Sequence, residues 1–289
     1  MKVIVAEEAG FCFGVKRALR LINQLHNSGQ GIQIYGELIH NRTVLNNLDK
    51  KGIPCIDSLD QLDPAKKVMI RTHGIPLKEE KILQKREIDY VDATCPLVKK
   101  THKIIEKLNR QKTQIVMVGD RKHPEMVAAR SYANDALVIN SIEEARQIAY
   151  RNRISVVTQT TLNMDFFKEI ISVLLEKTAR LEIYNTVCSA TRVRQEAIGK
   201  LAPGVDFVVV IGGKNSSNTR KLFEISQKKN KNTFFFERSD ELHDPGFLEG
   251  IKNFNSVAIT AGASTPPEEI EKVKAFFKKT KLEKESKHG

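Results

Sequence analysis

The sequence has no tryptophan, no Cys-x-x-Cys pair and no linker rich in proline, glycine or serine. No apolar run reaches the ~18 residues of a membrane-spanning helix, so no membrane association is expected. The opening run, Met1-Lys2-Val3-Ile4-Val5-Ala6-Glu7-Glu8, holds too few apolar residues for a signal peptide. A cytoplasmic location is the expectation. The lack of Cys-x-x-Cys argues against a zinc ribbon, a thioredoxin-type pair and a bacterial ferredoxin run. In a cytosolic chain of this size, four cysteines are not expected to form disulfides either. Without linkers, the parts of the chain are expected to pack tightly.

What is present fits a globular protein: 40% hydrophobic and 28% charged residues. At 289 residues the chain can bury a real core, and length alone suggests about two domains. The net charge is +12. Seven lysines between Lys272 and Lys287, opposed by Glu283 and Glu285, carry +5 of it. The other cations are dispersed along helix-like runs among Glu and Asp, and no RNA-binding aromatic signature accompanies them. Such a surplus reads as a solvated face that also suits an acidic electron-transfer partner or a diphosphate.

Strand-like and helix-like runs alternate along the chain, which predicts α/β layers with mostly parallel sheets. Three of the cysteines occupy one grammatical position in this alternation. Cys12 lies in Ala-Gly-Phe-Cys-Phe-Gly-Val, Cys95 in Asp-Ala-Thr-Cys-Pro-Leu-Val, and Cys188 in Thr-Val-Cys-Ser-Ala-Thr-Arg. Each follows a strand-like run, or a short loop after one, and opens a helix-like run. Their spacings, 83 and 93 residues, are those of small domains. The pattern predicts a threefold pseudo-repeat. Residues 1–95 form a first lobe that includes the N-terminal strand and Cys12, 96–187 a second, and 188–280 a third. Residues 281–289 form a basic tail.

The polar loops fall at the carboxyl ends of strands, where open α/β sheets bind ligands. Three thiolates brought together would form a tripod with one metal position open, and thiolates suit iron–sulfur clusters. The helix that follows each cysteine would stabilise an anionic sulfur. Cys55, after Gly52-Ile53-Pro54, reads as core packing. His40, His73 and His123 lie in post-strand loops and favour a site, whereas His26, His102, His243 and His288 read as surface residues. Ser216, Ser217 and Asn218 after one strand, and Ser264 after another, offer short donors near helix N-termini. That is a way to hold phosphate without a Walker lysine, though ordinary N-capping uses the same residues. Glu125 follows His123-Pro124 and Thr160 ends a strand; a carboxyl beside a hydroxyl can relay a proton to a leaving hydroxide.

Together these segments resemble the LytB/IspH family of 4-hydroxy-3-methylbut-2-enyl diphosphate reductases, the last enzymes of the methylerythritol phosphate route to isoprenoids. The resemblance runs from Gly10-Phe11-Cys12-Phe13-Gly14-Val15 to Ala261-Gly262-Ala263-Ser264. Between them stand Asp92-Ala93-Thr94-Cys95-Pro96, Gln159-Thr160-Thr161-Leu162, Cys188-Ser189-Ala190-Thr191-Arg192 and Lys214-Asn215-Ser216-Ser217-Asn218. It implies three similar α/β/α lobes in a pseudo-threefold arrangement around one 4Fe–4S cluster with an open apical iron, held by Cys12, Cys95 and Cys188. It also implies diphosphate contacts from His40, His73, Ser216, Asn218 and Ser264, with Ser217 nearby and Thr191 lining the pocket. Glu125, Thr160 and His123 are implied as the hydroxyl- and proton-handling group. The implied reaction is a two-electron reductive dehydroxylation giving isopentenyl and dimethylallyl diphosphate. A ferredoxin or flavodoxin is the implied donor, a monomer the expected form, and nucleic acid is not an expected partner. The chain departs from the family pattern at Thr72, often alanine, and in Met126-Val127-Ala128-Ala129-Arg130, which lacks a usual glycine beside Glu125.

On residues alone, a non-redox hydro-lyase, a zinc enzyme and a basic nucleic-acid-binding protein stay open. They predict, in turn, turnover without reductant, about one metal and no sulfide per chain, and salt-dependent nucleic-acid binding that survives loss of the three cysteines.

Overall fold

The computed structural model describes residues 1–285. Residues 286–289 of the predicted basic tail, His288 included, lie outside the described residues. The chain opens with β1 (Lys2–Val5), α1 (Phe13–Asn27), β2 (Ile32–Tyr35), α2 (Arg42–Asp49) and β3 (Cys55–Ile56). Then come β4 (Lys67–Ile70), α3 (Leu77–Lys85), β5 (Tyr90–Asp92) and α4 (Pro96–Arg110). Next are β6 (Gln114–Val118), α5 (Pro124–Arg130), β7 (Leu137–Ile139), α6 (Ile142–Arg146), β8 (Arg151–Thr158), α7 (Met164–Leu175) and β9 (Thr178–Tyr184). The last part holds α8 (Ser189–Leu201), β10 (Phe207–Ile211), α9 (Ser217–Lys229), β11 (Thr233–Phe236), α10 (Pro245–Gly250), β12 (Ser256–Ala261) and α11 (Pro267–Glu285).

Among the described residues twelve strands form three four-stranded sheets, ordered β3-β2-β4-β5, β7-β6-β8-β9 and β11-β10-β12-β1. Every pairing is parallel. The three α/β lobes follow one plan: the second strand flanks the first, the third lies on the first strand's other side, and the fourth is outermost. The third lobe has its fourth strand at the opposite end of the chain. β1 pairs with β12, Lys2 against Ser256 through Val5 against Ile259. This corrects the sequence expectation, which grouped the N-terminal strand with the first lobe. The reason is edge pairing: β12 is central and buried, and its free side needs a partner for its backbone donors and acceptors. The repeat is thus circularly permuted, with Cys12 following the fourth strand of its lobe as Cys95 and Cys188 follow β5 and β9.

The chain divides into two compact units: residues 1–13, 40–44 and from 189 onward, and residues 14–39 and 45–188. In the first, Phe207, Val209, Ile211, Val257 and Ile259 face Phe247, Val273 and Phe277. On the sheet's other side Val208, Val210 and Ala258 meet Ile198 and Leu222. In the second, Val116, Val118, Ile154 and Val156 pack on Phe167, Ile170 and Leu174. There Met117 and Val157 meet Ile105 and Leu108 on the opposite face. Such continuous apolar strands are what sheets covered on both faces require. Each full burial of such a side chain stabilises by roughly 1.5–3 kcal/mol. Among the described residues no helix is long and apolar enough to cross a membrane.

In all three lobes the chain reverses direction between the first and third strands, which lie side by side. The loops leaving their carboxyl ends therefore flank a switch point, where this architecture opens a ligand crevice. His40 and His73 lie in the loops after β2 and β4. His123, Glu125 and Thr160 lie in or just beyond those after β6 and β8. Ser216 and Ser264 lie in those after β10 and β12, with Ser217 and Asn218 opening α9.

Candidate functional site

The three cysteines are anchored alike. The amide of Cys12 donates to the carbonyl of Ala263 (3.0 Å), that of Cys95 to Thr72 (2.9 Å) and that of Cys188 to Thr160 (2.9 Å). Each acceptor belongs to the loop after the third strand of its lobe. None of the three forms a disulfide, and all three are half-buried. Cys95 is also the N-cap of α4, with Pro96 in the first turn where its missing N–H costs nothing. Cys55 is free, half-buried and in the edge strand β3, where burial pushes its thiol pKa up.

In the unit holding residues 45–188, a run of contacts joins Cys95 to Cys188. Thr72, which accepts from Cys95, precedes His73 in the chain. The His73 and His123 rings meet edge to face, centroids 5.2 Å apart. His123 caps α5, its Nδ1 accepting from the Glu125 amide at 3.2 Å. An accepting Nδ1 carries no proton, so the neutral ring holds its hydrogen on Nε2. Glu125 is 3% exposed. Its Oε1 accepts from the Thr160 amide and its Oε2 from the Thr160 hydroxyl, both at 2.7 Å. Burial raises the Glu125 pKa, and the two Thr160 hydrogen bonds oppose that rise. Thr160 then accepts from Cys188.

Neither departure from the family pattern disturbs this run. Thr72 donates its hydroxyl to the Leu38 carbonyl at 2.8 Å, tying the loop after β4 to the loop after β2. Met126, Ala128 and Ala129 are buried in α5, so the stretch without glycine is regular helix.

The other unit builds a different arrangement. Ser216 caps α9 through its Oγ, which accepts from the Thr219 amide at 3.3 Å. Asn218, 4% exposed, has no hydrogen-bond partner among the described residues for either side-chain amide atom. Ser264 donates its hydroxyl to the His40 carbonyl at 3.1 Å. Gly213 abuts the same carbonyl, and a Cβ there would overlap it. The glycine is a close-approach residue that lets the loop before α9 reach the His40 backbone. Thr191 is buried in α8 and 4% exposed.

Comparison with known proteins decides the family. The profile of the LytB protein family matches residues 3–278. The chain belongs to the LytB protein family. It is 43% identical to a 4-hydroxy-3-methylbut-2-enyl diphosphate reductase of Thermoanaerobacter sp. strain X514, over 94% of this chain and 95% of that one. It is 39% identical to the Aquifex aeolicus protein of that name, over 94% of each. Among solved structures, a reductase described as the terminal enzyme of the non-mevalonate pathway covers 96% of this chain at TM-score 0.69 and 37% identity. It is itself covered completely. The Plasmodium falciparum reductase matches 95% of this chain, and 87% of its own, at TM-score 0.90 and 27% identity.

Several residues of this LytB-family chain that shape the site escape a sequence reading. Arg194, 1% exposed, donates to the Gly10 carbonyl (2.8 Å) and the Ala190 carbonyl (3.1 Å), bracing the loop before Cys12. Arg17 donates to the carbonyls of Asp92 and Thr94, both at 3.4 Å, bracing the turn before Cys95. Their signal was position, five and six residues past a cysteine. His102 corrects its surface expectation. It is 6% exposed and stacks on Tyr132, ring centroids 4.5 Å apart. Val98, Thr101, His102, Ile105 and Leu108 form the buried stripe of α4, at helical spacing. Burial, helped by nearby Lys99 and opposed by Asp92, lowers the His102 pKa to about 4. His26 and His243 are exposed, as expected.

Proposed function

We propose that this chain is a 4-hydroxy-3-methylbut-2-enyl diphosphate reductase, converting its allylic diphosphate to isopentenyl and dimethylallyl diphosphate. The observation that carries the reading furthest is the identical anchoring of Cys12, Cys95 and Cys188 within a LytB-family chain. Three half-buried cysteines outside any disulfide, presented at equivalent strand–helix junctions, suit an iron–sulfur cluster. These three would hold one 4Fe–4S cluster, leaving one iron without a protein ligand. When bound, the cluster supplies electron transfer and a Lewis-acid iron.

The chain's own residues then bind, orient and move protons. Ser216, Asn218 and Ser264, with His40, His73 and nearby Ser217, take the diphosphate. The orphaned amide of Asn218 suits that task, since a buried amide without partners costs about 1–3 kcal/mol until something pairs it. The N-terminus of α9 adds its positive end. Thr191 lines the pocket.

Glu125 holds the proton. Its Oε1 is occupied by the Thr160 amide, so Oε2 is the oxygen that protonates. A protonated Oε2 donates to the Thr160 hydroxyl, which turns its own hydrogen towards the substrate hydroxyl. The C–O bond breaks, the hydroxyl leaves as water, and Glu125 is left as carboxylate. Two electrons and a second proton complete the balance by forming a C–H bond. His123, its hydrogen on Nε2, sits beside this relay and steadies Glu125 through the backbone. A monomeric working form, a cytoplasmic location and a ferredoxin- or flavodoxin-type donor belong to the same proposal.

The test is made on protein purified without oxygen. About four irons with sulfide per chain, and reductant-dependent formation of both five-carbon diphosphates, is the expected outcome. Iron and sulfide without those products would move the reading to a hydro-lyase. No iron or sulfide after reconstitution would end it.

A further inference from the structure

The helices that follow the three cysteines differ in charge in a way the substrate site does not use. Cys12 is followed by cations at offsets of four, five and eight residues: Lys16, Arg17 and Arg20. Cys95 is followed by cations at the same offsets: Lys99, Lys100 and Lys103. After Cys188 those offsets hold Arg192, Val193 and Glu196, and Arg192 pairs with Glu196 at 3.7 Å. These offsets fall on one face of a helix. α1 contains no acidic residue, and α4 contains none before Glu106.

The two basic faces meet. Arg17 reaches from α1 to the turn that opens α4. A depression of about 400 Å³ is lined by Arg17, Thr94, Pro96, Lys99, Lys100 and Lys103. Asp92 is taken up by Lys99 at 2.5 Å. Lys16, Arg20, Lys100 and Lys103 stand exposed. So do two apolar side chains, Leu97 (39%) and Phe13, the residue that opens α1 (69%). Like charges gathered on one surface repel one another, so the exposed cations Lys16, Arg20, Lys100 and Lys103 carry a mutual cost. α8 carries the neutralised form of the same positions.

We propose that this α1/α4 face is the docking surface for an acidic one-electron carrier protein. The inference rests on the reductase reading. That reaction consumes two electrons per substrate, so two reduced carriers are each oxidised by one electron. The cations begin in the first turn after Cys12 and Cys95, and an offset of eight residues is about 12 Å along a helix. A carrier seated there stands close to two of the three cluster thiols. Apolar residues among exposed cations match the anatomy of a steered, transient interface. A nucleic acid is disfavoured because single-stranded binders stack successive bases on several aromatic side chains, and the phenyl ring this face exposes is that of Phe13.

The test compares the holoenzyme with its Lys16→Glu, Arg20→Glu, Lys100→Glu, Lys103→Glu variant. Reduced ferredoxin, reduced flavodoxin and dithionite serve in turn as reductant. Binding of the oxidised carriers is followed by calorimetry across a salt series. With protein carriers the variant should lose roughly 100-fold in kcat/KM. Carrier binding should weaken in parallel, and its salt dependence should flatten. Turnover with dithionite should be unchanged, as should every readout in the control Arg192→Glu. Wild-type affinity and salt slope in the quadruple variant would overturn the proposal. So would a face that binds a single-stranded oligonucleotide and neither carrier. Failure of the reductase reading looks different, as no turnover even with dithionite in the wild type.

Discussion

The loops after β6 and β8 and the loops after β10 and β12 occupy the same place in two copies of one topology, yet their polar groups are in opposite states. In the first pair, both Glu125 carboxylate oxygens are satisfied within the chain by Thr160. In the second, both Asn218 amide atoms lack a partner among the described residues. Burial is nearly equal, 3% and 4% exposed, so solvent access does not explain the contrast. A set satisfied within the chain holds one geometry and one pKa. A set left open is completed by a ligand's oxygens. One plan thus yields a self-satisfied corner and an open corner, which the proposed function reads as proton-handling and anion-holding, by changing which residues stand at the ends of corresponding strands.

The largest effect expected is loss of the metal. Cys12→Ser, Cys95→Ser or Cys188→Ser should each abolish cluster retention and reductant-dependent turnover, whereas Cys55→Ser should keep both; iron and sulfide analysis separates the four. The next tests the open corner. Asn218→Ala should weaken binding of inorganic diphosphate, measured by calorimetry, roughly 10- to 100-fold. Equal affinity would remove the amide from the anion site. Stability sharpens the same contrast. Thr160→Val leaves Glu125 Oε2 unpaired and should cost about 1–3 kcal/mol in denaturant unfolding. Asn218→Ala removes an amide that pairs with nothing among the described residues and should cost less than about 1 kcal/mol.

A further test, away from both corners, concerns His102 and pH. Its folded pKa, about 4, lies below the ordinary 6.5. As pH falls, the unfolded chain therefore takes up the proton first. Stability is lost from about pH 6.5 down to about pH 4, by up to about 3 kcal/mol. His102→Phe keeps the stacking partner for Tyr132 and should flatten that part of the curve. An unchanged slope would show that the imidazole is not the titrating group.

The strand ends and helix starts were legible because residue patterning is local. Strands and helices alternate as expected, and Cys12, Cys95 and Cys188 each sit at the expected strand–helix junction. The placement of β1 was not legible, since its parallel partner β12 lies at the far end of the chain and nothing in Lys2–Val5 names it. His102 was hidden by composition: the lysines of α4 drew the eye from a stripe that its spacing does spell out. His40, His73, His123, Ser216 and Ser264 were legible as loop residues after strands, whereas Glu125, Thr191, Ser217 and Asn218 stand in the first turns of helices. That Glu125 is satisfied and Asn218 is not depends on packing between distant loops, which no local pattern encodes.

The most direct measurement is the steady-state pH–rate profile of Glu125→Gln beside the wild type, on cluster-loaded protein. Glutamine keeps the shape and still accepts from Thr160 but has no acidic proton to give. The account predicts unchanged cluster content and KM, a kcat lower by about 10²–10⁴, and loss of the limb on which wild-type activity falls as pH rises past the raised Glu125 pKa. Near wild-type kcat with that limb intact would contradict the assignment of the buried Glu125–Thr160 pair as the proton source.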